Sequence, residues 1–152
     1  AAHFGNVAAL RSLISMSKRM SNAAVNDTVL DSSETPLYIA SKLGHLEVVK
    51  FLIREAHVDA NKEMEGNGYS SLNIASQNGH FNIVRFLVRE GDADVNHATK
   101  NQGCTSLFIA ALNGHLDIVR FLACDTCAIV DQATSSGCTP FHIAAQIGRL
   151  DI

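Results

Sequence analysis

Thr105-Ser106-Leu107-Phe108-Ile109-Ala110-Ala111-Leu112-Asn113-Gly114-His115-Leu116-Asp117-Ile118-Val119-Arg120-Phe121-Leu122 decides how this chain folds, because it is written more than once. Its opening returns as Thr35-Pro36-Leu37-Tyr38-Ile39-Ala40, Ser70-Ser71-Leu72-Asn73-Ile74-Ala75 and Thr139-Pro140-Phe141-His142-Ile143-Ala144, at successive distances of 35, 35 and 34 residues. Four residues after each opening stands a glycine: Gly44, Gly79, Gly114 or Gly148. The first three lead into Gly-His and a Val-rich segment, and Gly5 starts a weaker copy through Ile14. A residue that recurs at a fixed period serves the repeating unit first.

Each unit reads as two short antiparallel helices. Thr35, Ser70, Thr105 and Thr139 are hydroxyl residues suited to a helix N-cap, and Pro36 and Pro140 stand at the first helical position, where a missing N–H is harmless. The glycines close that helix after about two and a half turns by adopting a left-handed conformation. The second helix shows Val48, Val49, Leu52 and Ile53, then Ile83, Val84, Leu87 and Val88, then Ile118, Val119 and Leu122, the spacing of one apolar face. Small residues recur at one height of the first helix, Ala40-Ser41, Ala75-Ser76, Ala110-Ala111 and Ala144-Ala145, with Ala1-Ala2 in the partial copy. They allow neighbouring layers to approach closely. Helices this short are unstable alone in water, so each pair depends on the next. The connecting stretches, such as Glu90 to Cys104, are rich in Gly, Asp, Asn and Lys and predict projecting turns or hairpins.

Composition removes several function classes. With 47% apolar and 18% charged residues, 152 residues suit one ordinary folded domain. The sequence lacks an apolar run of membrane-spanning length and starts without the pattern of a secretion signal. The expectation is therefore no membrane contact by this segment. A net charge of −3 supplies no strong field for phosphate backbones, so nucleic acid is not the expected partner. Four cysteines do not form the dense framework of a small secreted domain, which points to a reducing, cytoplasmic setting.

The pattern resembles the ankyrin repeat, whose unit runs Gly-x-Thr-Pro-Leu-His-x-Ala-Ala, then Gly-His, then a Val-Val-x-x-Leu-Leu helix. The matching pieces are Gly137-Cys138-Thr139-Pro140-Phe141-His142-Ile143-Ala144-Ala145, the Gly-His pairs ending at His45, His80 and His115, and Val95-Asn96. Ser33 replaces the turn glycine, Ser71 and Ser106 replace proline, and Tyr38, Asn73 and Phe108 replace the motif histidine. The resemblance implies an all-α solenoid of stacked helix-turn-helix units with projecting loops or β-turns. Units are expected at 31–65, 66–100 and 101–134, with partial ones at 1–30 and 135–152, as a single domain excerpted from a longer array. A bulged loop is expected from Ser15 to Val29.

Candidate chemistry is sparse. His45, His80 and His115 recur once per unit and are read as serving the turn, whereas His3, His57 and His97 are aperiodic and read as surface residues. Cys124-x-x-Cys127 has the spacing of half a zinc site or of a redox pair, but neither a second ligand pair nor a strand-to-helix setting accompanies it. Cys124 is expected at a buried helix end and Cys127 in a loop. Cys104 and Cys138 precede the capping Thr of adjacent units and are expected at exposed turns, about 10 Å apart by helix packing and out of disulfide reach. Lys50, Arg85 and Arg120, with Arg54 and Arg89, form a basic column whose neighbours Glu47 and Asp117 suggest a solvated, internally paired face. Acidic residues crowding the loops, from Glu55 to Asp94, lack the spacing of a calcium loop. Phosphate loops, nucleophile elbows and zinc-protease motifs are absent from the sequence, so no enzyme and no cofactor is expected.

What the resemblance implies instead is a protein-binding scaffold, gripping a partner by loop tips and by the ends of the first helices along a concave groove. Carried onto this sequence, the helix-end positions are His3, Phe4, Lys42, Leu43, Gln77, Asn78, Leu112, Asn113, Gln146 and Ile147. The loop positions are Asp31, Ser32, Glu34, Asn67, Tyr69, Asn101, Gln102, Cys104, Ser135, Ser136 and Cys138. Phe4, Leu43, Leu112 and Ile147 are apolar where such a helix faces water, and Tyr69 is an aromatic at a loop tip, the residue types that dominate contact energies. The alternative is a structural or regulatory segment held permanently within a larger assembly or multidomain chain.

Overall fold

A computed structural model describes residues 34–149. The partial copy from Gly5, the loop from Ser15 to Val29, and His3, Phe4, Asp31, Ser32 and Ser33 lie outside the described residues. Among the described residues seven helices alternate between two layers: α1 (Pro36–Lys42), α2 (Leu46–Arg54), α3 (Ser71–Gln77), α4 (Phe81–Glu90), α5 (Ser106–Asn113), α6 (Leu116–Asp125) and α7 (Pro140–Gln146). Among the described residues there is no strand, only an isolated antiparallel bridge between Ala98 and Thr105. The odd-numbered helices stack on one another in sequence, as do α2, α4 and α6, and α1, α3 and α5 each pack on the even helix that follows. This is the all-α stack that the period implies.

Local chemistry sets each boundary. The hydroxyls of Thr35, Ser70, Thr105 and Thr139 accept from the amides of Tyr38, Asn73, Phe108 and His142 at 3.2–3.3 Å. Two of the four caps are reciprocal, because Asn73 Oδ1 and His142 Nδ1 accept in return from the amides of Ser70 and Thr139. Tyr38 and Phe108 have no acceptor there to answer with. At the far end Gly44, Gly79, Gly114 and Gly148 all take positive φ, between 71° and 78°. The amide after each glycine then reaches back to the carbonyl of Ala40, Ala75, Ala110 or Ala144 at 2.9–3.0 Å, satisfying an orphan acceptor of the first helix.

The core runs along the stack as one band. Leu37, Leu72 and Leu107 of the inner helices meet Val49, Leu52, Ile83, Val84, Leu87, Ile118 and Leu122 of the outer ones, all essentially inaccessible to solvent. Phe141 holds the register of the three leucines but is exposed, as are Ile129 and Val130. The small residues keep the inner layers close: Ala40, Ala75, Ala110 and Ala111 are buried. The hydroxyls of Ser41 and Ser76 are buried at the same height without a hydrogen-bond partner, where the third unit has Ala111. Ala145, by contrast, is exposed.

Polar groups bind unit to unit. His80 Nε2 lies 3.1 Å from the carbonyl of Lys42, and His115 Nε2 lies 3.0 Å from that of Gln77, so each ring donates to the preceding inner helix. The recurrent histidines therefore serve the joint between units as well as the turn. Asn61 accepts from the amide of Asp94 at 2.8 Å and donates to the carbonyl of Asp92 at 3.0 Å. Asn96 does the same to Ile129 and Cys127. The loop tips join as well, Lys100 N to Asn67 O at 3.0 Å and Ser135 N to Gln102 O at 2.8 Å. A side-chain amide that engages both a donor and an acceptor of the next unit fixes register as well as separation.

Candidate functional site

The projecting turns and the inner helices together enclose a cleft of about 490 Å³. It is lined by Asn101 and Gln102 at one loop tip, Ser135 and Ser136 at the next, and Phe108, Leu112 and Ile143 beneath. The hairpin geometry that builds it is local. Thr99 N bonds Cys104 O at 3.1 Å and Gly103 N bonds Thr99 O at 2.8 Å, folding the tip back onto α5. The matching bond from Thr134 N to Cys138 O shapes the next one. Neither wall carries a charged side chain, so the cleft offers amide and hydroxyl groups above an apolar floor. Such a surface recognises an apolar side chain flanked by hydrogen-bonding backbone.

Of the positions expected to meet a partner, Asn101, Gln102, Cys104, Leu112, Ser135 and Ser136 line this cleft. Leu43, Leu112 and Ile147 stand at the ends of α1, α5 and α7, exposed by 58%, 45% and 40%, while α3 between the first two ends in Gln77 and Asn78. Gln77 and Gln146 are exposed at equivalent ends. Lys42 is exposed too, but its ammonium sits 2.8 Å from Glu34 and over the Tyr38 ring. Asn78 and Asn113 spend their side-chain amides on their own helices, donating to Ile74 O at 3.0 Å and Ile109 O at 2.8 Å. Both remain exposed at the helix ends.

Five expectations need correction. Cys104 is buried rather than exposed, because the thiol is enclosed in a small cluster with Phe108 and Ile109, against which Tyr69, Cys138 and Ile143 pack. Burial pushes its pKa up. Tyr69 is half-buried in that cluster rather than standing free at a tip, and burial raises its phenol in the same way. Cys138 is half-buried. Cys124, expected at a buried helix end, is exposed within α6, as is Cys127 beyond it. His97, expected at the surface, is partly buried and bonds the carbonyl of Gly68 at 2.7 Å, making it another joint between units.

The basic column has structure that spacing alone did not show. Lys50 pairs with Glu47 at 2.8 Å, as expected, but Asp117 turns to the amide of Ile118 at 2.9 Å. Arg54 crosses to Glu90 of the next unit, with Nε 3.0 Å from the carboxylate. Among the described residues no group of three His, Cys, Asp or Glu is placed to hold a metal ion, and no helix is long and apolar enough to cross a membrane.

The thiols should separate cleanly by reactivity. Cys124 and Cys127 should react first with a soluble disulfide reagent and Cys104 at least about tenfold more slowly, since its thiolate is both disfavoured and covered. Stopped-flow absorbance on single-cysteine variants measures this. Equal rates at positions 104 and 124 would contradict the packing of the small cluster.

Comparison with known families gives one finding. A family model described as "Ankyrin repeats (3 copies)" matches residues 1–99 and, in a second alignment, residues 92–152. No curated protein matches the sequence.

Proposed function

The chain belongs to the ankyrin repeat family, whose members are in general protein–protein interaction modules, and from that premise we propose that it is a non-enzymatic scaffold that grips a partner protein in its concave groove. The observation that carries this reading is the cleft between loop tips and inner helices, with Leu112 and Phe108 as floor and Asn101, Gln102, Ser135 and Ser136 as uncharged walls. Exposed Leu112 and Ile147, at the ends of the adjacent helices α5 and α7, add apolar contact beside the cleft. Rigid spacing favours binding, because a surface already ordered by inter-unit hydrogen bonds loses little entropy when a partner docks. A cytoplasmic setting belongs to the same proposal and is supported by four unpaired thiols.

The test places a photo-crosslinking amino acid at Gln102 or, on the outer layer, at Arg120, and exposes each protein to native extract. Crosslinked protein should accumulate at position 102 and not at 120. Leu112→Asp should reduce that yield about tenfold or more while leaving the helical circular dichroism unchanged, since a charge in the floor of a desolvated contact is left unpaired. Crosslinks favouring position 120, or a yield indifferent to Leu112→Asp, would contradict the groove as the binding face.

A further inference from the structure

We propose that the outer face carries a second interaction surface, a cleft between α2 and α4 that takes an acidic segment of a partner protein. It has a volume of about 370 Å³ and presents Lys50, Arg54, Arg85 and Arg89 around Phe86, with Glu90 as a lining carboxylate. Lys50 is engaged by Glu47 and Arg54 by Glu90. Arg85 and Arg89 are not in an ion pair among the described residues. Each is instead held over an aromatic ring: Arg85 at 5.6 Å from the centre of Phe81, Arg89 at 5.5 Å from that of Phe121. Arg54 lies likewise at 5.1 Å from Phe86. Contact with a ring restrains each side chain without using its N–H donors on a carboxylate, so an incoming acidic group meets a partly placed cation rather than a fully mobile chain.

The surroundings select the ligand. Glu90 on Arg54 shows that one carboxylate already satisfies this type of site from within the chain. The two remaining guanidiniums stand one helical turn apart on α4, at positions 85 and 89, a spacing suited to successive acidic side chains of a peptide. Beyond the ends of α2 and α4 the exposed loops carry Asp59, Asp92 and Asp94. A broad anionic surface, such as a bilayer or a nucleic-acid duplex, would meet those carboxylates together with the arginines. A narrow peptide lying in the cleft would not. One of the two cation rows also ends here: Cys124 stands in the third unit where Arg54 and Arg89 stand in the first two, while the row of Lys50 and Arg85 continues at Arg120.

The experiment uses the whole 152-residue chain and fluorescence anisotropy of a labelled peptide of alternating Glu and Gly. The same peptide with Gln for Glu, phosphatidylserine vesicles and a poly-dT strand serve as separate probes. The Glu peptide should bind, weaken as salt rises, and lose at least about tenfold in affinity in Arg85→Gln/Arg89→Gln, whereas Arg120→Gln, outside the cleft, should change it less than about twofold. The salt dependence of the unsubstituted protein tests the charge argument even where a variant folds poorly. Absence of Glu-peptide binding, equal binding of the Gln peptide, equal loss in Arg120→Gln, or tighter binding of vesicles or poly-dT than of the Glu peptide would each overturn the proposal.

Discussion

Leu87→Ala should lower the free energy of unfolding by about 3 kcal/mol, as a buried leucine truncated in a site that cannot collapse. Leu87 is fully inaccessible in α4, the middle helix of the outer layer, and belongs to the band that includes Leu72 beneath it and Val49, Leu52, Ile118 and Leu122 on either side. Relaxation into the vacated space requires α2 or α6 to shift toward α4. His80, His115, Asn61 and Asn96 hold the units at fixed separation by hydrogen bonds, so such a shift would strain several of them. The cost should therefore stay in the cavity. A stack whose units contact only their neighbours also has no other core to fall back on, and weakening its middle loosens both halves. Urea denaturation followed by helical circular dichroism should show the midpoint falling by about 1–2 M. Val88→Ala, on the half-buried side of the same helix, should cost about 1 kcal/mol. A loss below about 1 kcal/mol at Leu87 would mean that the stack does not depend on its central joint.

That dependence explains which features the sequence revealed. Period exposes what every unit must do for itself: the hydroxyl caps at Thr35, Ser70, Thr105 and Thr139, the left-handed glycines, and the apolar faces all appear where the repeat places them. It is less informative about what one unit does to the next. Cys104 occupies the same position as Cys138, yet it lies between Tyr69 of the preceding unit and Cys138 of the following one, so burial depends on neighbours rather than on position in the motif. His97 was legible only as an aperiodic residue, because its partner, the Gly68 carbonyl, lies 29 residues earlier. Arg85 and Asp117 show the same limit. Charge spacing predicted an internally paired face, but Asp117 finds a backbone amide one residue away and Arg85 finds Phe81 one turn back. The candidate groove was legible at Asn101, Gln102, Cys104, Leu112, Ser135 and Ser136 because loop tip and helix end are fixed by the motif. The Arg–Phe stacks could have been suspected from Phe86 and Phe121 recurring alongside Arg54 and Arg89.

Gly79→Ala should cost about 2–3 kcal/mol, more than the backbone alone demands, because the added methyl would strike the joint between units. Gly79 has φ +74°, where a side chain with a β-carbon carries about 1 kcal/mol or more of strain. A β-carbon there would lie 2.7 Å from Cε1 and 2.8 Å from Nδ1 of His115. The imidazole must then retreat, and with it goes the bond from Nε2 to the carbonyl of Gln77, worth about 1 kcal/mol. Gly66 supplies the control: it has φ +90° and nothing within 4 Å of the position a β-carbon would take, so Gly66→Ala should show only the strain, about 1 kcal/mol. The excess at Gly79 should disappear when His115 is already alanine, since the methyl then has nothing to displace. A double-mutant cycle on Gly79→Ala and His115→Ala should accordingly give a coupling of about 1 kcal/mol from urea midpoints. Equal costs at the two glycines, or additive costs in the cycle, would show that the recurrent Gly-His pair shapes only the turn in its own unit, and that the histidine bond contributes nothing to holding successive units together.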